Sequence, residues 1–313
     1  MRGYRIRAVI PILGLLLLGA VSACSPTAQQ SAPQPAQAQP APQQPQQKVM
    51  YIGGIPDQDL SVLETRFKGI ADYLSKETGL KVQYVPTVDY AALVTAFKQG
   101  DVQLAWFGGL TGVQARLAAP GAQAIVQRPQ DEKFVSVFIA QKSLGVKALA
   151  DLRGKTLTFG SESSTSGHLM PRYYVMQAGL VPEKDLKSLN YSGSHDTTIK
   201  LVETGAFQAG ALNVDVWQRN VRDGKVDTGK VDVFYTTPPY YDYHWVVRGD
   251  LDQKFGQGTA DKIKQAFLKL NTSNGETEKK IMGAFDAKNF IPTTNDNYKA
   301  IEDVARALGI VQN

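Results

Sequence analysis

Short apolar runs bounded by turn residues alternate with amphipathic stretches from residue 48 onward, and the alternation occurs twice. Strand-like runs lie at 49–52, 82–85, 102–106, 122–126 and 134–140, with helix-like stretches at 60–78, 90–99 and 110–117 between them. The helical pattern is clearest at 60–78, where Leu63, Phe67, Ile70 and Leu74 recur at spacings of three and four and Gly79 follows as a stop. After Ser143 the pattern restarts. Strands at 155–159, 186–191, 209–213 and 231–236 alternate with helices at 169–178, 196–204 and 216–222. One more strand, 243–247, and three helices, 260–270, 276–285 and 298–308, close the chain. Such alternation predicts mainly parallel sheets covered by helices on both faces. The expectation is an α/β chain of two lobes, 48–137 plus 243–313 forming the first and 138–242 the second. Crossings near 136–142 and 237–243 would then make the two-strand hinge of a clamshell.

The first residues do not fit that pattern. Arg2, Arg5 and Arg7 precede an apolar run at 9–21, and Val21-Ser22-Ala23-Cys24 places small residues before the single cysteine. This is a secretory signal, too short for a comfortable transmembrane span. It resembles a bacterial lipobox, which implies loss of 1–23 and a lipid on Cys24. One cysteine allows no intrachain disulfide. Removing the leader takes away three arginines and no acid, so the net charge falls from +5 to +2. No Lys/Arg cluster argues for nucleic acid. Residues 24–47 are almost wholly Pro, Gln, Ala, Ser and Thr and read as a disordered, semi-extended spacer. The mature protein is expected to be a soluble monomer at the cell envelope, touching the membrane only through its lipid.

At Gly160-Ser161-Glu162-Ser163-Ser164-Thr165-Ser166-Gly167 a strand turns into a helix. The first N–H groups of a helix lack intrahelical partners and carry partial positive charge. Ser and Thr add O–H donors, so the turn can gather around a small tetrahedral oxyanion. Ser and Thr are equally common as N-caps, and this segment alone leaves both readings open. Ligands of open α/β sheets bind beyond the carboxyl ends of strands. Here those ends carry Gly53-Gly54-Ile55-Pro56-Asp57-Gln58, then Thr87, Asp89 and Tyr90, then Phe107-Gly108-Gly109-Leu110-Thr111. Ser192-Gly193-Ser194-His195-Asp196, Asp215 and Trp217 follow in the second run. Each has an ordinary structural reading as well. Trp106, Tyr90 and Trp217 are more often core than ligand wall, and His195 and Asp215 fit plain helix starts. His168 and His244 read as surface or packing residues. The histidines show no metal-ligand spacing, and neither metal nor cofactor is expected. Ser, His and Asp occur in the order of an α/β-hydrolase, but without a G-x-S-x-G elbow. Neither a P-loop nor G-x-G-x-x-G is present, so an enzyme is not expected.

Asp89-Tyr90, Trp106-Phe107-Gly108-Gly109, Ser164-Thr165-Ser166-Gly167 and His195-Asp196, in this order, resemble the phosphonate/phosphite substrate-binding proteins of ABC transporters. The similarity covers roughly 48–308. The Trp-Phe-Gly-Gly-Leu-Thr-Gly stretch and Phe159-Gly160-Ser161-Glu162-Ser163-Ser164 look like a subgroup described as selenate-binding. The resemblance implies a type II periplasmic-binding fold, with a small oxyanion between the lobes and a permease and ATPase as partners. It assigns Ser164, Thr165 and Ser166 as oxyanion donors, His195 as a further contact and Asp215 as an acceptor. Tyr90 and Trp106 would line the first-lobe wall. Two features depart from the pattern: Phe107-Gly108-Gly109 stands where an aromatic-Gly-Pro stretch is usual, and 239–245 is unusually aromatic.

No Lys or Arg is evident in the expected pocket, so hydrogen bonds from neutral groups would hold the anion. Asp215 is expected to discriminate. A carboxylate accepts from the P–OH of a phosphite or phosphonate monoanion but faces only repulsion from selenate or sulfate, which keep no proton. Selenate or sulfate binding, and a ligand-sensing receptor subunit in place of a transport component, stand as the alternatives.

Overall fold

The computed structural model describes residues 48–312. The expected leader at 1–23, the lipidated Cys24 and the spacer to 47 lie outside the described residues. In chain order the strands are β1 (Val49–Gly54), β2 (Lys81–Tyr84), β3 (Leu104–Phe107), β4 (Gln123–Gln127), β5 (Ser136–Gln141) and β6 (Thr156–Phe159). They continue with β7 (Ser188–Tyr191), β8 (Ala209–Asn213), β9 (Val231–Thr236), β10 (His244–Val247) and β11 (Ile291–Pro292). The helices are α1 (Leu60–Thr78), α2 (Tyr90–Gln99), α3 (Gly109–Ala118), α4 (Met170–Gln177), α5 (Pro182–Asp185) and α6 (His195–Glu203). Then come α7 (Val214–Arg222), α8 (Leu251–Phe255), α9 (Thr259–Lys269), α10 (Glu276–Ala284) and α11 (Lys299–Ala307).

Two sheets result, a six-stranded one in the order β11-β4-β10-β3-β1-β2 and a five-stranded one in the order β7-β6-β8-β5-β9. Both are mixed, which corrects the expectation of mainly parallel sheets. β1 is parallel to β2 and β3, and β6 to β7 and β8, because a helix carries the chain back between successive strands. β5 and β10 each enter a sheet from a crossing and run antiparallel to both neighbours. Helices cover both kinds of pair, so the apolar runs of the sequence look alike whichever way a strand points.

The first crossing also lies elsewhere than expected. Residues 136–141 are β5 of the second sheet, and the chain passes between the sheets over 128–135 and again over 237–243. The two crossings pair through a Phe134–Tyr240 bridge, with N–H to O distances of 2.8 and 2.9 Å in the two directions.

The side-chain alternation of a strand splits the second lobe into two cores. Along β5, Phe138 and Ala140 join Leu157 and Phe159 on one face, while Val137 and Ile139 join Leu212 and Val216 on the other. The first sheet has one large core, in which Ile263 and Phe267 of α9 and Ile281 of α10 pack with Met50, Phe67 and Trp245. The C-terminal helices thus cover the first sheet, and the loops beyond both sheets meet between the lobes.

Candidate functional site

Two close backbone approaches build the hydroxyl turn. Gly160 N–H donates to Gly167 O at 2.8 Å. A Cβ on Gly167 would lie 3.0 Å from Gly160 Cα, 3.0 Å from Ser164 Oγ and 3.2 Å from His195 Cε1. Ser164 then caps a π-turn, Thr165–Leu169, that leads into α4; its Oγ accepts the Gly167 N–H at 2.9 Å. The capping reading of this segment therefore holds for Ser164. It does not consume the turn, because the N–H groups of Thr165 and Ser166 precede any intrahelical acceptor.

Ser164, Thr165 and Ser166 are all buried, and so is Tyr90. Thr165 Oγ1 accepts the Leu110 N–H at 2.9 Å, tying the turn of the second lobe to the N-terminus of α3 in the first. The Ser166 hydroxyl and the Tyr90 phenol have no hydrogen-bond partner among the described residues, though Tyr90 stands beside Ser164. Burial holds the Tyr90 phenol well above the usual tyrosine range. Buried polar atoms without partners are expensive, so a ligand that supplies the partner gains affinity from the difference.

Asp242 completes the group. Its Oδ1 accepts the Gly109 N–H at 2.8 Å, and its Oδ2 is buried without a partner. A side chain on Gly108 would meet Thr165 Oγ1 at 3.0 Å and Asp242 Oδ1 at 3.1 Å, so glycine at this position lets the three segments close up. Burial pushes the Asp242 carboxyl up to about 7, against the opposing pull of the Gly109 N–H. Near neutral pH it is available as an O–H donor or as an acceptor.

Ser194, rather than His195, caps α6, its Oγ accepting the Thr197 N–H at 3.3 Å. His195 N–H donates to Asp57 O at 3.1 Å, and the buried imidazole is held neutral because burial lowers its pKa. Nδ1 accepts the Asn213 N–H at 3.4 Å, which leaves the proton on Nε2, 3.4 Å from the Tyr243 hydroxyl. That hydroxyl donates to Asp57 Oδ2 at 3.0 Å and accepts from Asn213 Nδ2 at 2.9 Å.

Tyr90, Ser164, Thr165, Ser166 and His195 are thus brought together, while Trp106 and Asp215 line a void behind Tyr243. Trp106 lies in the aromatic core behind Tyr243, stacked at 5.7 Å and 18°, and also packs against Trp245 and Phe285. Asp215 Oδ2 is 3.2 Å from Arg128 Nη1, an ion pair without hydrogen-bond alignment. Both residues border a void of about 10 Å³, which Arg66, Arg128 and Arg219 also line; it has room for about one water molecule. Three arginines therefore stand near Asp57 and Tyr243, cationic side chains that the sequence did not place there. Arg66 comes from α1, Arg128 from the first crossing and Arg219 from α7, so no local run in the sequence announces them. His168 packs against Phe159 and Tyr191, and His244 stacks on Tyr298 at 3.7 Å, so both are packing residues rather than surface ones. Trp217 belongs to a core of the second lobe. An outer groove of about 690 Å³ between α1 and α10 carries none of this chemistry.

Residues 52–298 match the family described as ABC transporter, phosphonate, periplasmic substrate-binding protein. The chain belongs to this family. The probable ABC transporter phosphite binding protein PhnD1 of Prochlorococcus marinus (strain MIT 9301) is 43% identical over 272 residues, 85% of this chain and 91% of that protein. The structure of PhnD1 in complex with methylphosphonate aligns with a TM-score of 0.82 over 84% of this chain and 99% of that one. A binding protein component of an ABC phosphonate transporter from Pseudomonas aeruginosa, 22% identical, shares the fold at a TM-score of 0.72 over 82% and 85% of the two chains. The fold is the two-lobed type II periplasmic-binding architecture, and the family's members are extracytoplasmic substrate-binding components of transporters. Among the described residues no helix is long and apolar enough to cross a membrane.

Within this phosphonate-binding family member, sequence reasoning missed Asp242, Tyr243 and the arginines. Asp57 stood among the strand-end groups without a role. The signal for Asp242 and Tyr243 was positional, since a chain that crosses between two lobes twice must pass the cleft at the second crossing.

Proposed function

We propose that this protein captures a small phosphorus oxyanion, phosphite or a short alkylphosphonate, between its two lobes and presents it to an ABC permease and its ATPase. The observation that carries the reading is the three buried polar atoms without partners, the Tyr90 and Ser166 hydroxyls and Asp242 Oδ2. Helix N-terminal N–H groups at Thr165 and Ser166 supply the positive potential. Ser164, Tyr90 and His195 surround the anion, and Asp242 accepts from a P–OH or donates its own proton to an unprotonated oxygen. In this reading Asp242 takes the part that the sequence pointed to in Asp215, which Arg128 already pairs. The 43% identity to a phosphite binding protein supports phosphorus over selenium as the central atom. The protein works as a monomer, anchored through a lipid on Cys24, with the spacer to residue 47 holding the lobes off the membrane.

A thermal-shift series with phosphite, methylphosphonate, 2-aminoethylphosphonate, phosphate, sulfate and selenate tests this. A ligand at a hundredfold its Kd stabilises by about 2.7 kcal/mol, so phosphite or methylphosphonate should raise the Tm by roughly 5 °C or more. A shift with selenate or sulfate alone would assign the site to those anions instead. Six flat curves would remove the reading.

A further inference from the structure

We propose that Tyr243 is a positioning residue, whose hydroxyl couples closure of the two lobes to the setting of the His195 imidazole. The inference rests on the oxyanion reading above and adds to it a residue that need not touch the ligand.

Tyr243 sits at the end of the second crossing, and its ring belongs to the first lobe. It stacks on Trp106 at 5.7 Å and meets Phe134 of the first crossing edge-on at 5.5 Å. The Arg128 guanidinium lies 5.3 Å over its face. A ring held by both crossings and by the core has little freedom, so its oxygen is a fixed point. At that point groups from three elements meet: Asp57 from the loop after β1, His195 at the start of α6 and Asn213 at the cap of α7. Asp57 belongs to the first lobe, and His195 and Asn213 to the second.

The protons close without a gap. The phenol gives its one hydrogen to Asp57 Oδ2 and has lone pairs for the Asn213 amide and for His195 Nε2–H. Nδ1 is occupied by the Asn213 backbone N–H, so only one neutral tautomer fits. Opening the lobes would keep the Tyr243–Asp57 bond and break the two bonds to the second lobe. The hydroxyl therefore rewards closure and, in the same act, holds the His195 ring, through its Nε2–H, beside Gly167 of the hydroxyl turn.

Tyr243→Phe keeps the stacked ring and removes the oxygen alone. Calorimetry with phosphite should show affinity reduced about tenfold. The Tm without ligand should fall by about 2–4 °C, the cost of the Tyr243–Asp57 bond that both forms carry. Proton NMR of the phosphite-saturated protein should show a hydrogen-bonded, slowly exchanging His195 Nε2–H in the wild type and a fast-exchanging one in the variant. Wild-type affinity or an unchanged His195 Nε2–H signal would each overturn the proposal. If the wild type binds none of the oxyanions, the functional reading fails on its own. Scattering of the unliganded proteins then still decides the coupling: a larger radius of gyration for Tyr243→Phe supports it, and equal radii overturn it.

Discussion

Asp242 shows what one buried carboxyl imposes on the molecule. Burial raises its folded pKa to about 7 from a usual value near 3.8. Between those pH values the folded form keeps a proton that the unfolded chain has released, so this group's contribution to stability falls as pH rises from about 4 to about 7. The neutral isostere removes the slope. Asp242→Asn should match the wild type near pH 4 and become the more stable protein above pH 7, by up to about 4 kcal/mol. Urea unfolding across that range reads the difference directly, and parallel stability curves for the two proteins would contradict it. Taking the difference matters, since Asp131, also raised by burial to about 6, adds a slope of its own to both curves. At this scale the sequence was readable for Tyr90, the 164–166 hydroxyls and His195, each fixed by a local strand-to-helix turn. It was silent on Asp242, whose partner Gly109 lies 133 residues away.

At the scale of the element, the hydroxyl turn depends on two glycines lying back to back. A methyl group on Gly167 would push at once on Gly160 Cα, Ser164 Oγ and His195 Cε1. Gly167→Ala should cost about 1–3 kcal/mol of stability through this overpacking. It should also weaken phosphite binding at least about tenfold, since the Ser164 cap and the His195 ring move together. Unfolding and calorimetry on one preparation test both halves; normal affinity would mean that the turn does not form the ligand wall. The helix spans themselves were legible: residues 60–78 were expected as a helix, and Leu60–Thr78 is one. The π-turn before α4 was not, because its extra residue per turn leaves no mark on an apolar period.

Across the whole molecule, charges at the rim join the lobes. Arg219 of α7 donates to Gln58 Oε1 at 2.6 Å and lies 3.2 Å from Asp286 Oδ2, with Arg222 3.8 Å from Asp286 Oδ1. Asp286 has a positive φ of 50°, a conformation that Asn also tolerates, so Asp286→Asn changes the charge and spares the backbone. These groups are partly exposed, which limits each pair to a small share of closure. The substitution should weaken phosphite binding about two- to threefold at low salt, and the gap should close near 1 M salt. Calorimetry at the two ionic strengths checks this; a gap that ignores salt would point away from charge.

Apolar periodicity is a property of neighbours along the chain, so the sequence alone determined the longer helices and strands, their order, and the hydroxyl-rich turns between them, but not the short α5, α8 and β11. The restart of the strand–helix alternation after Ser143 carried the two-lobed plan, and the family motifs added its type II kind. Strand direction, the true place of the first crossing, and the meeting of Asp57, Asp242, Tyr243 and three arginines came only with the tertiary structure. Their contacts join residues as far apart as the 218 positions between Arg66 and Ala284, and partners at that range are chosen by how whole sheets pack.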